Sequence, residues 1–191
     1  MLRSDAQQNR LLLLDAACDL IAEAGTDDIS ARDIADRAGV SSATLYRHFP
    51  SKQALIDAIS VDRWERMSQW ARSSRGARSP IRHITTVLDR FSRLVSDDAQ
   101  FIQAAGLKVG QTPAAIRPVR EVFDARFDEL WRSAQAAGAV QRWADPRDAV
   151  ELVGSIRSKE RRAPMLATVV GGFVAPQVDV HHLLRGTPQP F

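Results

Sequence analysis

The stretch SARDIADRAGVSSATLYRHFPSK, from Ser30 to Lys52, contains two helix starts separated by one glycine. Ser30 is placed to cap the first helix, and Asp33 stands at the position that closes a capping box. Gly39 lies where a helix end adopts the left-handed conformation, which glycine tolerates without steric cost. Ser41 is placed to cap the next helix. The pattern predicts two short helices joined by a tight turn.

Two short helices joined in this way form a helix-turn-helix, which we place at about residues 30–49. Leu45 and Phe49 are four residues apart, so they share the buried face of the second helix. In such motifs the second helix enters the major groove of DNA. Its exposed residues supply hydroxyl, imidazole and guanidinium groups that suit phosphates and base edges. These residues are Ser42, Ala43, Thr44, Tyr46, Arg47 and His48.

Lys52 is a separate indication of an anionic partner. It falls in the first turn of a fourth helix, where the helix dipole disfavours a cation by ~0.3–1 kcal/mol. A nearby DNA phosphate would offset that cost.

Each of these polar side chains also has a structural interpretation. Tyr46 could cover a groove between helices, and Thr44 could act as a local cap. His48 could be a half-buried packing residue, and Arg47 could be solvated.

The net charge does not by itself indicate nucleic acid. The whole chain has a formal net charge of +3, but residues 1–60 contain six Lys/Arg and nine Asp/Glu, a net charge of −3. The remainder contains 20 Lys/Arg and 14 Asp/Glu, a net charge of +6. A DNA interface must therefore depend on the placement of particular side chains.

The rest of the chain has helical rather than strand periodicity, which predicts an all-α fold. Ser79-Pro80 and Asp145-Pro146 each place a cap before a proline, the usual start of a helix. The fourth helix is expected from about residue 51 to residues 72–75, followed by the linker RSSRGARS (Arg72–Ser79). The tail after Pro176 is expected to be loosely structured.

The first helix is expected to be amphipathic. Its buried face is predicted to consist of Leu11, Leu14, Ala17, Cys18, Ile21 and Ala22.

The string ISARDIADRAGVSSATLYRHFPSKQALIDAI, from Ile29 to Ile59, resembles the N-terminal domain of the TetR/AcrR family of transcriptional regulators. The resemblance covers roughly residues 10–60. It implies an all-helical homodimer with a three-helix DNA-binding domain and a larger C-terminal ligand-binding and dimerisation domain. We place these domains at residues 1–52 and 53–191.

The resemblance also implies roles for individual residues. In the family, the positions that match Thr44, Tyr46, His48 and Lys52 typically contact phosphates. The positions that match Arg32, Ser42 and Ala43 often face bases, although the Ala43 methyl offers little beyond contact with a thymine methyl.

The function that follows is a ligand-responsive regulator, in the first place a repressor that a small, mainly hydrophobic effector releases from double-stranded operator DNA. An activator of the same family, or a ligand-binding module without DNA activity, are the alternatives. The partners would be operator DNA, an effector and a second copy of the chain.

Two sets of apolar residues are candidates for the effector pocket and the dimer interface. Packing within the protomer's own core is the alternative for both. The pocket set is Trp64, Met67, Phe91, Phe101, Phe123, Phe127 and Trp131. The interface set is Leu152, Val153, Ile156, Met165, Leu166, Val169, Val170 and Phe173.

Enzyme motifs are absent from the sequence: there is no H-E-x-x-H, no Gly-rich phosphate loop and no G-x-S-x-G. One cysteine and four histidines do not form a cysteine-rich metal site, although His181 and His182 could bind a metal weakly. We expect no catalytic residues, no cofactor and no metal. The longest apolar run is shorter than the ~18 residues of a membrane span, so we expect a cytoplasmic protein.

Overall fold

The computed structural model describes residues 2–24, 29–72, 79–97 and 112–185. Within these ranges the regular structure is helical, apart from an isolated antiparallel bridge between Val140 and Val174. The all-α prediction is therefore confirmed for the described residues. The helices are α1 (Leu2–Ala24), α2 (Ala31–Arg37), α3 (Ser42–His48), α4 (Lys52–Arg72), α5 (Pro80–Asp97), α6 (Arg117–Ala136), α7 (Pro146–Gly154), α8 (Arg162–Phe173) and α9 (Val180–Arg185).

The described chain forms two compact units. The N-terminal unit ends at Arg63 and the C-terminal unit begins at Trp64, so α4 contributes residues to both. In the N-terminal unit, α2 packs against both α1 and α3. The buried core of this unit combines residues from α1 to α4: Leu13, Leu14, Ala17, Ile21, Ile34, Ala35, Leu45, Phe49, Leu55, Ile56 and Ile59.

The predicted register of α1 is wrong at its first leucine. Leu11 was expected on the buried face, but 53% of it is exposed, whereas Leu13 is fully buried. Successive helix residues are about 100° apart, so the four leucines of residues 11–14 surround the helix. Periodicity cannot choose between them, and packing against the neighbouring helices does.

In the C-terminal unit, α5 is the central helix and packs against α6, α7, α8 and α9. Its buried apolar face includes Ile84, Val87 and Leu88. Two predicted helix starts are confirmed, because α5 begins at Pro80 and α7 begins at Pro146. The carboxylate of Asp145 caps α7 by accepting the Arg147 N–H at 2.7 Å.

The described segment after Pro176 is more regular than expected. We predicted a loosely structured tail after Pro176, but residues 180–185 form α9 and Leu183 is buried. Asp179 stabilises the start of α9 by accepting the His182 N–H at 3.0 Å. Residues 186–191 of the tail and residues 73–78 of the predicted linker lie outside the described residues.

Candidate nucleic-acid interface

Local hydrogen bonds define the start of α2. The Ser30 Oγ accepts the Asp33 N–H at 3.2 Å, and Asp33 Oδ2 accepts the Ser30 N–H at 2.8 Å, which completes the predicted capping box. The Ser30 hydroxyl also donates to Asp33 Oδ2 at 2.6 Å. These bonds, first from the hydroxyl and then from the backbone N–H, hold the pKa of Asp33 below its usual range.

The turn between α2 and α3 has the predicted glycine conformation. Gly39 has φ of 68°, in the left-handed region, and its N–H donates to the Asp36 carbonyl at 3.2 Å. The next residue, Val40, donates to the Ala35 carbonyl at 3.0 Å. Ser41 then caps α3 by accepting the Thr44 N–H at 3.1 Å. The two helices are thus joined through a turn of four residues, Ala38 to Ser41.

Contacts with α1 fix the position of the motif. Arg37 of α2 donates to both carboxylate oxygens of Glu23 in α1, at 3.1 and 2.8 Å. The hydrogen bond and charge of Arg37 hold the pKa of Glu23 below its usual range. The guanidinium of Arg10 lies 5.5 Å from the ring centre of Phe49, at the end of α3. Neither contact was predicted, because the partners are 14 and 39 residues apart and belong to no local motif.

The buried and exposed sides of α3 agree with the helix-turn-helix interpretation. Leu45 and Phe49 are buried, while 53% of Tyr46 is exposed. We call the other side the outward face of α3: Ser42, Ala43, Tyr46 and Arg47 are exposed on it, and Thr44 and His48 are half-buried at its edges.

Two residues of the outward face also make internal contacts. The hydroxyls of Thr44 and Ser41 are 2.9 Å apart, so Thr44 has the local capping role considered above. The His48 ring lies 6.4 Å from the Phe49 ring and takes part in packing. Neither contact removes these side chains from the edge of the exposed surface.

Arg32 and Lys52 flank the outward face in sequence. The Arg32 side chain is 84% exposed and lies 3.7 Å from Asp36 on the next turn of α2, a weak surface pair. Lys52 is half-buried and is the first residue of α4, as predicted. The motif therefore presents hydroxyl, phenol and guanidinium donors from short helices that are fixed by caps and a shared core.

A solved structure covers nearly the whole chain. The crystal structure of the TetR transcription regulatory protein from Mycobacterium vanbaalenii has a TM-score of 0.69 and 31% sequence identity, and it covers 92% of this chain and 100% of that chain. The chain belongs to the TetR family. The family model for bacterial regulatory proteins, tetR family, matches residues 13–59, which are the helix-turn-helix and its flanking helices. The resemblance seen in the sequence is thereby confirmed.

Two curated relatives match part of this TetR-family protein. The HTH-type transcriptional repressor KstR of Rhodococcus jostii is 32% identical over 104 residues, which cover 54% of this chain and 49% of that protein. The tetracycline repressor protein class D of Escherichia coli is 40% identical over 57 residues, 30% of this chain and 26% of that protein. The chain thus spans about half the length, or less, of these curated relatives.

The aromatic residues of the TetR-family protein's C-terminal unit form a connected row. Ring centres are 5.8 Å apart for Trp64 and Phe91, and 5.3 Å apart for Trp64 and Phe123. The row continues to Phe127 at 5.5 Å and to Trp131 at 5.7 Å. These rings and Met67 are buried, whereas Phe101 lies outside the described residues.

The candidate interface residues divide into two groups. The apolar side chains that the structure buries within the protomer are Val153, Ile156, Leu166, Val170 and Phe173. Leu152 is 47% exposed, and Met165 and Val169 are half-buried. Only these three of the eight are open to a partner chain without rearrangement of the protomer.

The described part of the chain shows neither a metal cluster nor a membrane span. It contains no group of three or more His, Cys, Asp or Glu side chains arranged to hold a metal ion. None of its helices is long and apolar enough to span a bilayer.

Proposed function

We propose that this protein is a transcriptional repressor that binds operator DNA as a homodimer and responds to a small effector. The observation that carries the proposal is the outward face of α3, which the capped turn and the buried Leu45 and Phe49 hold away from the core. KstR and the tetracycline repressor, by their names, are repressors, and the tetR family model matches this chain across the motif. Operator DNA places its site of action in the cytoplasm.

In this proposal the residues of the motif divide into two roles. Thr44, Tyr46, His48 and Lys52 contact phosphates, and Arg47 lies beside them as a further cation. Arg32, Ser42 and Ala43 face the bases. Phosphate contacts release counterions and set affinity, whereas base contacts set sequence preference.

The proposed effector is small and mainly apolar, and it binds among the aromatic rings of the C-terminal unit. Those rings are in contact, so an effector that enters between them has to separate them. The state with packed rings and the state with separated rings then differ in their affinity for the effector. Such a difference is the condition for a shift in population. The helix α4 carries Lys52 at its start and Trp64 and Met67 further along, which offers a continuous element for coupling.

The DNA-binding proposal is tested on a duplex selected from a random pool by the unsubstituted protein. Tyr46→Ala and Lys52→Ala should each weaken binding to every sequence. Lys52→Ala should also reduce the slope of log affinity against log salt by about 0.9, because it removes a cation from a phosphate. Lys159→Ala is the control, because Lys159 is exposed in the C-terminal unit. Unchanged affinity in both N-terminal variants would overturn the proposal.

The effector proposal is tested by a thermal-shift screen of small apolar compounds, followed by titration of each hit against the protein–DNA complex. Tryptophan fluorescence should change when a hit separates Trp64 from its neighbouring rings. Hits that bind and change neither the fluorescence nor the DNA affinity would contradict the proposed site and its coupling.

A further inference from the structure

A cavity of about 410 Å³ lies between α5, α8 and α9, away from the aromatic row. Four charged residues line it: Asp89 and Arg93 from α5, Arg162 from α8 and Arg185 from α9. One carboxylate and three guanidinium groups give these four residues a formal charge of +2. A concave site with a net positive charge attracts an anion.

The buried carboxylate of Asp89 positions two inner arginines, Arg162 and Arg93. Oδ1 of Asp89 accepts from Nη1 of Arg162 at 2.6 Å, and Oδ2 accepts from Nε of Arg93 at 3.0 Å. The Nη1 of Arg162 also donates to the Ser92 hydroxyl at 2.9 Å. The side chains of Asp89 and Arg162 are only 6% and 14% exposed, so the pair is held inside the unit.

The arginines retain donors that these bonds do not use. A guanidinium has five N–H donors, and the bonds of Arg162 involve Nη1 alone. Arg93 uses Nε. Arg185 donates through Nε to the His181 carbonyl on its own helix, at 3.3 Å, and makes no ion pair with any described residue. The remaining donors suit the two oxygens of a carboxylate.

The rest of the cavity wall is apolar apart from His181 of α9. Leu166 and Ala167 of α8 and Leu184 of α9 contribute to it. A ligand that fills both parts of the cavity therefore needs an anionic head and an apolar body. Inorganic anions lack the second feature, and neutral lipophiles lack the first.

We propose that this cavity binds a small amphipathic organic carboxylate, with its head group held by Arg185, Arg162 and Arg93. The inference goes beyond the proposed repressor function and does not depend on DNA binding. Arg162 and Arg93 each already bind the Asp89 carboxylate. Among the described residues Arg185 bonds only to a backbone carbonyl, so its charge is the most available to a ligand.

The probe is octanoate, measured by isothermal titration calorimetry with the full-length chain. Octanamide is the uncharged match, and inorganic phosphate is an anion without an apolar body. Octanoate should bind at least about tenfold more tightly than octanamide, because hydrogen bonds between charged groups contribute more than those to a neutral group. It should also bind at least about tenfold more tightly than phosphate, which buries no apolar surface.

Two variants locate the site. Arg185→Gln should weaken octanoate binding about tenfold, and it should still fold because Arg185 bonds only within its own helix. Ala167→Trp should abolish binding by filling the apolar part without changing charge. Arg142→Gln, an exposed arginine outside the cavity, is the control and should bind like the unsubstituted chain.

Several results would overturn the site. The first is that octanoate does not bind. The second is that octanamide binds as tightly as octanoate, and the third is that the Kd for octanoate is unchanged in Arg185→Gln. If circular dichroism shows that Ala167→Trp does not fold, the Arg185→Gln result and the octanamide comparison still test the proposed site. Because DNA is absent from the titration, failure here leaves the repressor proposal unaffected.

Discussion

Asp89 and Arg162 form a buried ion pair between residues 73 positions apart in the chain, with Oδ1 and Nη1 at 2.6 Å. Arg162 comes from the basic run RSKERR at residues 157–162. In the structure the Arg162 side chain points inward. Arg162 is the first residue of α8, so the ion pair joins the start of α8 to the central helix α5.

Asp89→Ala should lower the free energy of unfolding of the C-terminal unit by about 3–5 kcal/mol, because it leaves a buried guanidinium without its carboxylate. The double variant Asp89→Leu/Arg162→Met should lose less, since it removes both buried charges and leaves only Arg93, whose side chain is 27% exposed, without its carboxylate. The measurement is urea unfolding followed by circular dichroism.

Asp128→Ala is the control for this pair. It breaks a pair between the half-buried Asp128 and Arg132, whose side chain is 75% exposed; the oxygen and nitrogen are 3.6 Å apart. The loss should be at most about 1 kcal/mol. Equal losses for Asp89→Ala and Asp128→Ala would show that burial of the first pair contributes nothing.

Gly39→Ala should destabilise the N-terminal unit by about 1–2 kcal/mol, because an alanine at φ of 68° is strained although no neighbouring atom blocks its methyl. Gly171→Ala should have the opposite sign. Gly171 is within α8, where alanine is favoured by about 0.5–1 kcal/mol and the space beside it is open. Thermal unfolding of both variants tests this, and destabilisation by both would refute the conformational explanation.

The stability of the N-terminal unit should fall at acid pH because of Asp33 and Glu23. Hydrogen bonds from Ser30, and from Arg37, lower the pKa of these carboxyls in the folded state. A lowered pKa contributes stability above the unfolded value, and that stability is lost as the pH falls through the folded value, here below about pH 4.

The check is the urea midpoint of the N-terminal unit as a function of pH. In the double variant Asp33→Asn/Glu23→Gln, the urea midpoint should fall less steeply at acid pH than in the unsubstituted protein. Asp15→Asn, which changes an exposed carboxyl of α1, should keep the original profile. If the double variant also keeps the original pH profile, the two hydrogen-bonded carboxyls are not the source of the stability loss at acid pH.

Arg32→Ala should relax the preference of the protein at one base pair, by about 1–3 kcal/mol, with little change in salt dependence. Binding to a set of singly substituted duplexes measures this. Arg132→Ala is a matched control, since Arg132 is also exposed and also pairs with an aspartate four residues away on its helix. A uniform loss across all duplexes would instead assign Arg32 to a phosphate.

Val169→Asp should convert a dimer into monomers in sedimentation experiments while the helix content remains. The reason is that a charge on the half-buried Val169 would be desolvated between two chains. Val122→Asp makes the same change at an exposed valine of α6 and should remain dimeric. Sedimentation of the unsubstituted chain as a monomer at micromolar concentration would rule out the interface.

Local features of this protein were determined by the sequence alone. The capping box of Ser30 and Asp33, the glycine turn at Gly39 and the proline starts of α5 and α7 are each decided within about four residues. Backbone hydrogen bonding and allowed φ values act over that range, so the helix-turn-helix and the outward face of α3 were predictable.

Packing decided the features that join distant parts of the chain. The choice of Leu13 over Leu11, the burial of Arg162 against Asp89 and the docking of α9 through Leu183 all depend on which surfaces meet in the folded protein. Close packing selects one arrangement among several that satisfy the same periodicity. The charged cavity between α5, α8 and α9 exists only because that arrangement brings together residues up to 96 positions apart, from Asp89 to Arg185.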